Sequence, residues 1–242
     1  MTPKQKNLLV LSVVLSIVIW GFFYGFIAGT AFTLSLLFHE YGHYYWMGRE
    51  GIKNKTMMMI PPFGAIAIPK EPWSSLGAEA RIALAGPGFG LVSAVALLLT
   101  GVVFGSYKIK ITTFTVCLVN LFNFWAPIAI LDGGRVIKPL LLSLNTKLGI
   151  GFYYFSFVAS FLLVWNFMSL FTLIIGFLII QILESDLYAT RCLIANNKIV
   201  RMSGREAASS ILLFLAISAG LYAIVIVNGV SYGDFMEFMA GK

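Results

Sequence analysis

Residues 7–24, NLLVLSVVLSIVIWGFFY, form a predominantly apolar run without a charged side chain, and runs like it recur along the chain. About 20 such residues in a helix match the hydrocarbon core of a bilayer. In lipid the backbone must satisfy its own hydrogen bonds, so these runs predict helices. Charged residues make up 11% of the 242 and hydrophobic ones 59%, with a mean hydropathy of +0.90. A soluble domain carries about 25% charged residues, so the chain is predicted to be an all-α polytopic membrane protein. Its length allows about six or seven spans with short loops, hence a single membrane domain, 1–242, without a soluble appendage. Lys4 and Lys6 precede the first run, but no small-residue cleavage site follows, so no removable signal is expected.

Inside the second apolar stretch stands His39-Glu40-Tyr41-Gly42-His43, which holds both of the chain's histidines. Four residues apart on a helix, the two imidazoles share a face and can bind one zinc, with Glu40 close enough to deprotonate an attacking water. The alternative is a pair of core or pore-lining histidines on one face by coincidence. Three ionisable groups together in an apolar span are costly enough to favour the metal.

After a glycine turn near Gly25–Gly29, this second span runs to about Gly48. His39 then lies roughly 14 Å of helix before its end, within the bilayer and nearer the side marked by Arg49, Lys53 and Lys55. Residues 52–73 are too short and proline-rich to span. Thr56–Ile60 and Ala65–Ile68 flank Pro61-Pro62-Phe63-Gly64, a turn composition, which predicts a membrane-associated β-hairpin or re-entrant loop. Its edge could pair with an extended substrate, with Gly64 at the turn; an ordinary interfacial loop is the alternative. A third span, 77–104, contains Ala85-Gly86-Pro87-Gly88-Phe89-Gly90, where small residues favour close helix packing and Pro87 predicts a local break. A fourth covers about 111–131.

The fourth span ends in NLFNFWAPIAILDGGR, residues 120–135. Of the ten carboxylates, only Glu40 and Asp132 are read as lying within or at the edge of a span with other polar signals. A buried aspartate needs a cation, so Asp132 is the expected third ligand of an open site with one zinc per chain. A helix N-cap near Gly133 or a pair with Arg135 is the alternative. Asn120 and Asn123 share this span and either face the cavity or bond a neighbouring helix.

Residues 148–183 are apolar throughout and too long for one crossing, so a break is expected near Trp165-Asn166. A basic loop, 184–206, and a last span, about 208–229, follow. Seven spans with the N-terminus cytosolic place 14 of the 17 Lys and Arg inside, leaving Lys108, Lys110 and Lys242 outside. The +7 charge therefore reports membrane topology, and no nucleic-acid partner is expected. Cys117 and Cys192 form no pairing pattern.

With these residues in view, the sequence resembles the site-2 protease family of intramembrane zinc metalloproteases over roughly residues 25–140. HExxH in a span, the hairpin IPPFGAIAI, AGPxxG and an Asn…Pro…LDGG stretch occur in the family's order. The resemblance implies His39, His43 and Asp132 as zinc ligands and Glu40 as general base. It also implies Asn123 and Pro127 in the substrate cleft, and Gly86 and Gly90 in close helix packing; Gly133 and Gly134 complete LDGG. One departure concerns Asn123, which precedes Pro127 by one residue more than the family pattern, and Asn120 is a substitute. Ala129 stands where a second proline is usual. The resemblance implies a multi-pass cell-membrane endopeptidase, a membrane-spanning protein as substrate and a core without PDZ or CBS domains. The spans at about 148–229 would be accessory. A catalytically silent scaffold and a zinc transporter are the rival readings; the first would have lost a ligand or Glu40, and the second needs more than two membrane carboxylates.

Overall fold

The computed structural model of the chain describes residues 2–61, 64–166 and 169–239. Its elements are α1 (Pro3–Tyr24), α2 (Phe26–Arg49), β1 (Lys55–Ile60), β2 (Gly64–Pro69), α3 (Leu76–Val103), α4 (Tyr107–Trp125), α5 (Asp132–Leu144), α6 (Thr146–Asn166), α7 (Leu170–Ala195), α8 (Gly204–Asn228) and α9 (Tyr232–Met239). Among the described residues, five stretches are long and apolar enough to cross a membrane: α1, α3, α6, residues 172–195 of α7, and α8. The protein is a multi-pass membrane protein. α2 and α4, counted as spans from sequence, fall outside that set because each mixes polar groups into its apolar run: His39, Glu40 and His43 in one, Lys108, Lys110 and three threonines in the other.

The chain forms two compact units. The first comprises Met1–Pro72, Ala85–Phe122 and Leu215–Lys242. Here Thr2 and Gln5 close a capping box around Pro3 at the start of α1, and Gly25, at φ 83°, permits the reversal into α2. Trp20 of α1 meets the Phe32 ring of α2 edge-on at 5.0 Å. The predicted hairpin is present, antiparallel with register Lys55↔Pro69 to Ile60↔Gly64, although Pro62 and Phe63 of its turn lie outside the described residues. Met57 and Met59 alternate inward, and the Met59 N–H donates to Ser12 Oγ of α1 at 3.2 Å.

The second unit comprises Trp73–Leu84 and Asn123–Phe214. Its core joins Ile128, Ala129, Tyr153, Leu183 and Leu187, with a second cluster of Leu76, Ala80, Leu142 and Met202. Beside them Lys138 Nζ lies 2.6 Å from Glu79 Oε1 and 2.8 Å from Asp186 Oδ2. The Tyr153 hydroxyl donates to Asp186 Oδ2 at 2.6 Å and sits 2.8 Å from Thr190 Oγ1.

Several expectations need correction. α3 continues through Pro87 without the predicted break. α4 stops at Trp125, and a turn over residues 126–131 precedes α5. α6 ends at Asn166, where the break was expected, but α7 runs on to Ala195, so the basic loop starts at 196 and not at 184. The tail carries a helix of its own, α9. Glu79, Glu184, Asp186 and Glu206 lie within the helices long and apolar enough to span, so Glu40 and Asp132 do not exhaust the membrane carboxylates. Of these, Glu79 and Asp186 contact Lys138 of α5.

Candidate metal centre

On α2, helical spacing places His39 and His43 on one buried face, 6% and 7% exposed. Their Nε2 atoms lie 3.2 Å apart. Two nitrogens bound tetrahedrally to one zinc at about 2.0–2.1 Å stand about 3.3 Å apart, so the pair already has the bite such an ion requires. Asn120 of α4, also buried, fixes the tautomer of one ring. Its Nδ2 donates to the Val116 carbonyl at 2.8 Å, which leaves Oδ1 facing His39 Nδ1 at 2.8 Å. His39 therefore carries its proton on Nδ1, and its Nε2 presents a lone pair.

The glycines of α3 make this possible. A Cβ on Gly86 would collide with His43 Nε2 and lie 2.8 Å from His39 Nε2, and one on Gly90 would overlap the Asn120 amide. Gly42, inside the histidine motif, answers from α2: a Cβ there would stand 2.6 Å from the Ala85 carbonyl oxygen and 2.9 Å from the Phe89 ring. The sequence reading did not single out Gly42, although its position opposite a Gly- and Ala-rich segment is the signal that could have found it. Pro87 lies within the same α3 segment.

Asp132 opens α5. Leu131 occupies the N-cap position without a side-chain bond, so Asp132 is not the cap. Asn123 Nδ2 donates to Asp132 Oδ2 at 2.6 Å, and the Asp132 N–H reaches Asn123 Oδ1 at 3.4 Å. Arg135, the other possible partner, lies over the Trp73 ring at 5.9 Å. A Cβ on Gly133 would run into the Phe124 carbonyl and one on Gly134 into the Ile128 carbonyl, so the LDGG glycines let α5 start against the preceding turn. That turn is held by the Ala129 N–H donating to Ser156 Oγ at 3.0 Å.

Among the described residues, His39, His43 and Asp132 are a buried group that could hold a metal ion, each offering one ligand atom. Two imidazoles and a carboxylate suit zinc in type and number, leaving a fourth position open. Glu40 is half-buried on α2. Pro127 is exposed, with its carbonyl accepting from Ser156 Oγ at 3.1 Å, and Gly64, at φ 123°, begins β2. Neither belongs to the metal-capable group.

Comparison with known proteins bears on this centre. Residues 27–114, which include both histidines, Glu40, Gly86 and Gly90, match the profile of peptidase family M50. A curated zinc metalloprotease of Methanocaldococcus jannaschii is 29% identical over 116 residues, 45% of this chain and 32% of the relative. The chain thus covers about a third of the curated protein it matches. No solved structure matches it.

Proposed function

We propose that this chain, which matches the profile of peptidase family M50 over residues 27–114, is a site-2-type zinc-dependent intramembrane endopeptidase. Its substrate is a membrane-spanning segment of another protein. His39, His43 and Asp132 hold the ion, and Glu40 is the general base. The observation that carries this reading is the pair of Nε2 atoms 3.2 Å apart, one made a ligand by the Asn120 bond, across from a glycine whose missing Cβ leaves them room.

Zinc bound there supplies polarisation of the scissile carbonyl and activation of the attacking water. The chain's own residues do the rest. Glu40 takes the proton from water and returns it to the leaving amine. Asn120 holds the His39 ring, and Asn123 holds the Asp132 carboxylate, so each asparagine acts as a positioning residue. A helical substrate must unwind before its carbonyls become accessible, because the helix ties them up four residues along. The edge of the β1–β2 hairpin, with Gly64 at its turn, receives the extended segment, and Pro127 lines the cleft. Seven crossings, with α2 and α4 among them and the N-terminus cytosolic, keep the basic loops on one side and the site nearer that side.

Glu40→Gln is expected to lower cleavage of a membrane-protein substrate by about 10²–10⁴-fold while zinc stays bound. Asp132→Ala is expected to weaken or abolish zinc retention in protein purified without chelator. Substrates are found by comparing membrane peptides from cells carrying wild-type or Glu40→Gln protein. Unchanged cleavage by Glu40→Gln would overturn the assignment of the base, and zinc-free wild type would overturn the enzyme.

A further inference from the structure

α6 begins at Thr146 and α7 ends at Ala195, and residues from these two helix ends line a groove of about 430 Å³. Two cations border it, Lys147 and Arg191. Among the described residues, neither has a carboxylate within ion-pair distance. Arg191 Nη2 donates to the Tyr154 hydroxyl oxygen at 2.5 Å, and the guanidinium lies over the same ring, 5.9 Å from its centre. One guanidinium N–H is used in this way and four remain. The Tyr154 O–H also remains available to donate, so the charged side of the groove offers donors and positive charge but no carboxylate.

Apart from Thr146 at its end, the rest of the lining is apolar, with Ile150, Ile194 and Ala195. Gly151 also lines the groove, and a Cβ built on it meets nothing within 4 Å, so the space there is open. The outward faces of these helices are exposed hydrophobic surface, with Leu148 of α6 at 53% and Phe177 of α7 at 62%. A site that joins unpaired cations to an apolar trough at the end of two spanning helices fits a ligand that is anionic at its head and apolar behind it. We infer that this groove binds the phosphate headgroup of an anionic phospholipid. The phosphodiester oxygens accept from Lys147, Arg191 and Tyr154, and the glycerol and upper acyl carbons lie along Ile150, Gly151 and Ile194. This site is independent of the proteolytic reading and needs no metal.

The test uses the full-length chain in detergent, titrated with phosphatidylglycerol or with phosphatidylcholine, and counts lipid retained per chain by native mass spectrometry. Phosphatidylglycerol is expected to be retained about tenfold better. Lys147→Gln with Arg191→Gln is expected to remove that preference. Gly151→Leu keeps every charge and fills the trough, and it is expected to reduce retention by a similar factor. Gly151 is exposed in a helix interior, where leucine is the better helix former, so this variant folds even if the doubly neutralised one does not. Equal retention of the two lipids would overturn the proposal. So would full retention by Gly151→Leu, which would mean diffuse attraction to a basic rim, or displacement of the lipid by millimolar inorganic phosphate, which would mean an anion-only site.

Discussion

The histidines of α2 and the lysine of α5 are both buried, yet their surroundings are opposite. Lys138 is 2% exposed and meets charge with charge: Glu79 at 2.6 Å, Asp186 at 2.8 Å, and Tyr153 bonded in turn to Asp186. Around His39 and His43, the first unit supplies a neutral amide and a glycine. A buried cation between carboxylates is already satisfied and holds helices together. The His39 imidazole is oriented by an amide, and the missing Cβ of Gly86 leaves room beside both rings. Buried polarity in a membrane protein is thus divided by what the neighbours leave undone, and the following variants probe that division.

Gly86→Ala should have the largest effect. Its Cβ has no room beside His43 Nε2 and His39 Nε2, and the rings must swing away together. Zinc affinity is expected to fall by about 100-fold or more, at or beyond the top of the 10–100-fold range that loss of a positioning partner gives. Elemental analysis of the purified protein reads this directly. Retention near wild type would mean that the rings tolerate displacement and that the gap is not part of the site.

Lys138→Met should damage stability and leave the histidines alone. It strands Glu79, which is 3% exposed, and removes the main partner of Asp186. Breaking one side of a buried pair costs about 3–5 kcal/mol, with the lower figure apt here because the Asp186 side chain keeps 30% exposure. Thermal unfolding in detergent measures it. Combining Lys138→Met with Glu79→Gln and Asp186→Asn is expected to recover much of the loss, since no uncompensated charge remains. Failure to recover would show that the cluster does more than hold helices.

Asn120→Leu separates orientation from stability. The His39 ring keeps its place on α2 but loses the bond that sets its tautomer, so zinc affinity is expected to fall by about 10–100-fold. Competition with a chelator of known affinity gives the number. An unchanged affinity would assign Asn120 to packing alone.

These two clusters also differ in how far they could be read from the sequence. The metal side was legible because its signals are local: HEYGH on one helix turn, LDGG at a helix start, and Gly86 and Gly90 one turn apart. The hairpin and the reversal at Gly25 were legible for the same reason, since turn residues act on their own neighbourhood, and the end of α6 near Asn166 because residues 148–183 are too long for one crossing. The Lys138 cluster was not. Its members come from α3, α5, α6 and α7, and nothing in the sequence pairs Glu79 with a lysine 59 positions later. Ending the sixth span at residue 183 turned Asp186 into a loop residue and hid the problem. Pro87 misled in the other direction. Proline removes a single hydrogen bond, and among small residues the helix continues through it.

The smallest effect belongs to pH. Burial by itself would lower the Lys138 ammonium, but the adjacent Glu79 and Asp186 carboxylates override it and hold the group above the ordinary lysine range. A raised folded-state value means that the stabilisation is complete below the unfolded value of about 10.4 and is lost only as pH climbs through the higher folded one. Between pH 7 and 9 the lysine stays charged in both states, so the wild-type melting temperature should not move on its account. Lys138→Met then lowers the curve by about the same amount at both ends of that window. A wild-type protein that gained several degrees between pH 7 and 9, with Lys138→Met gaining none, would place the ammonium's titration inside the window, with a folded-state value below the unfolded one. The cluster would then be a switch, and its contrast with the histidine site would no longer be one between closed and prepared polarity.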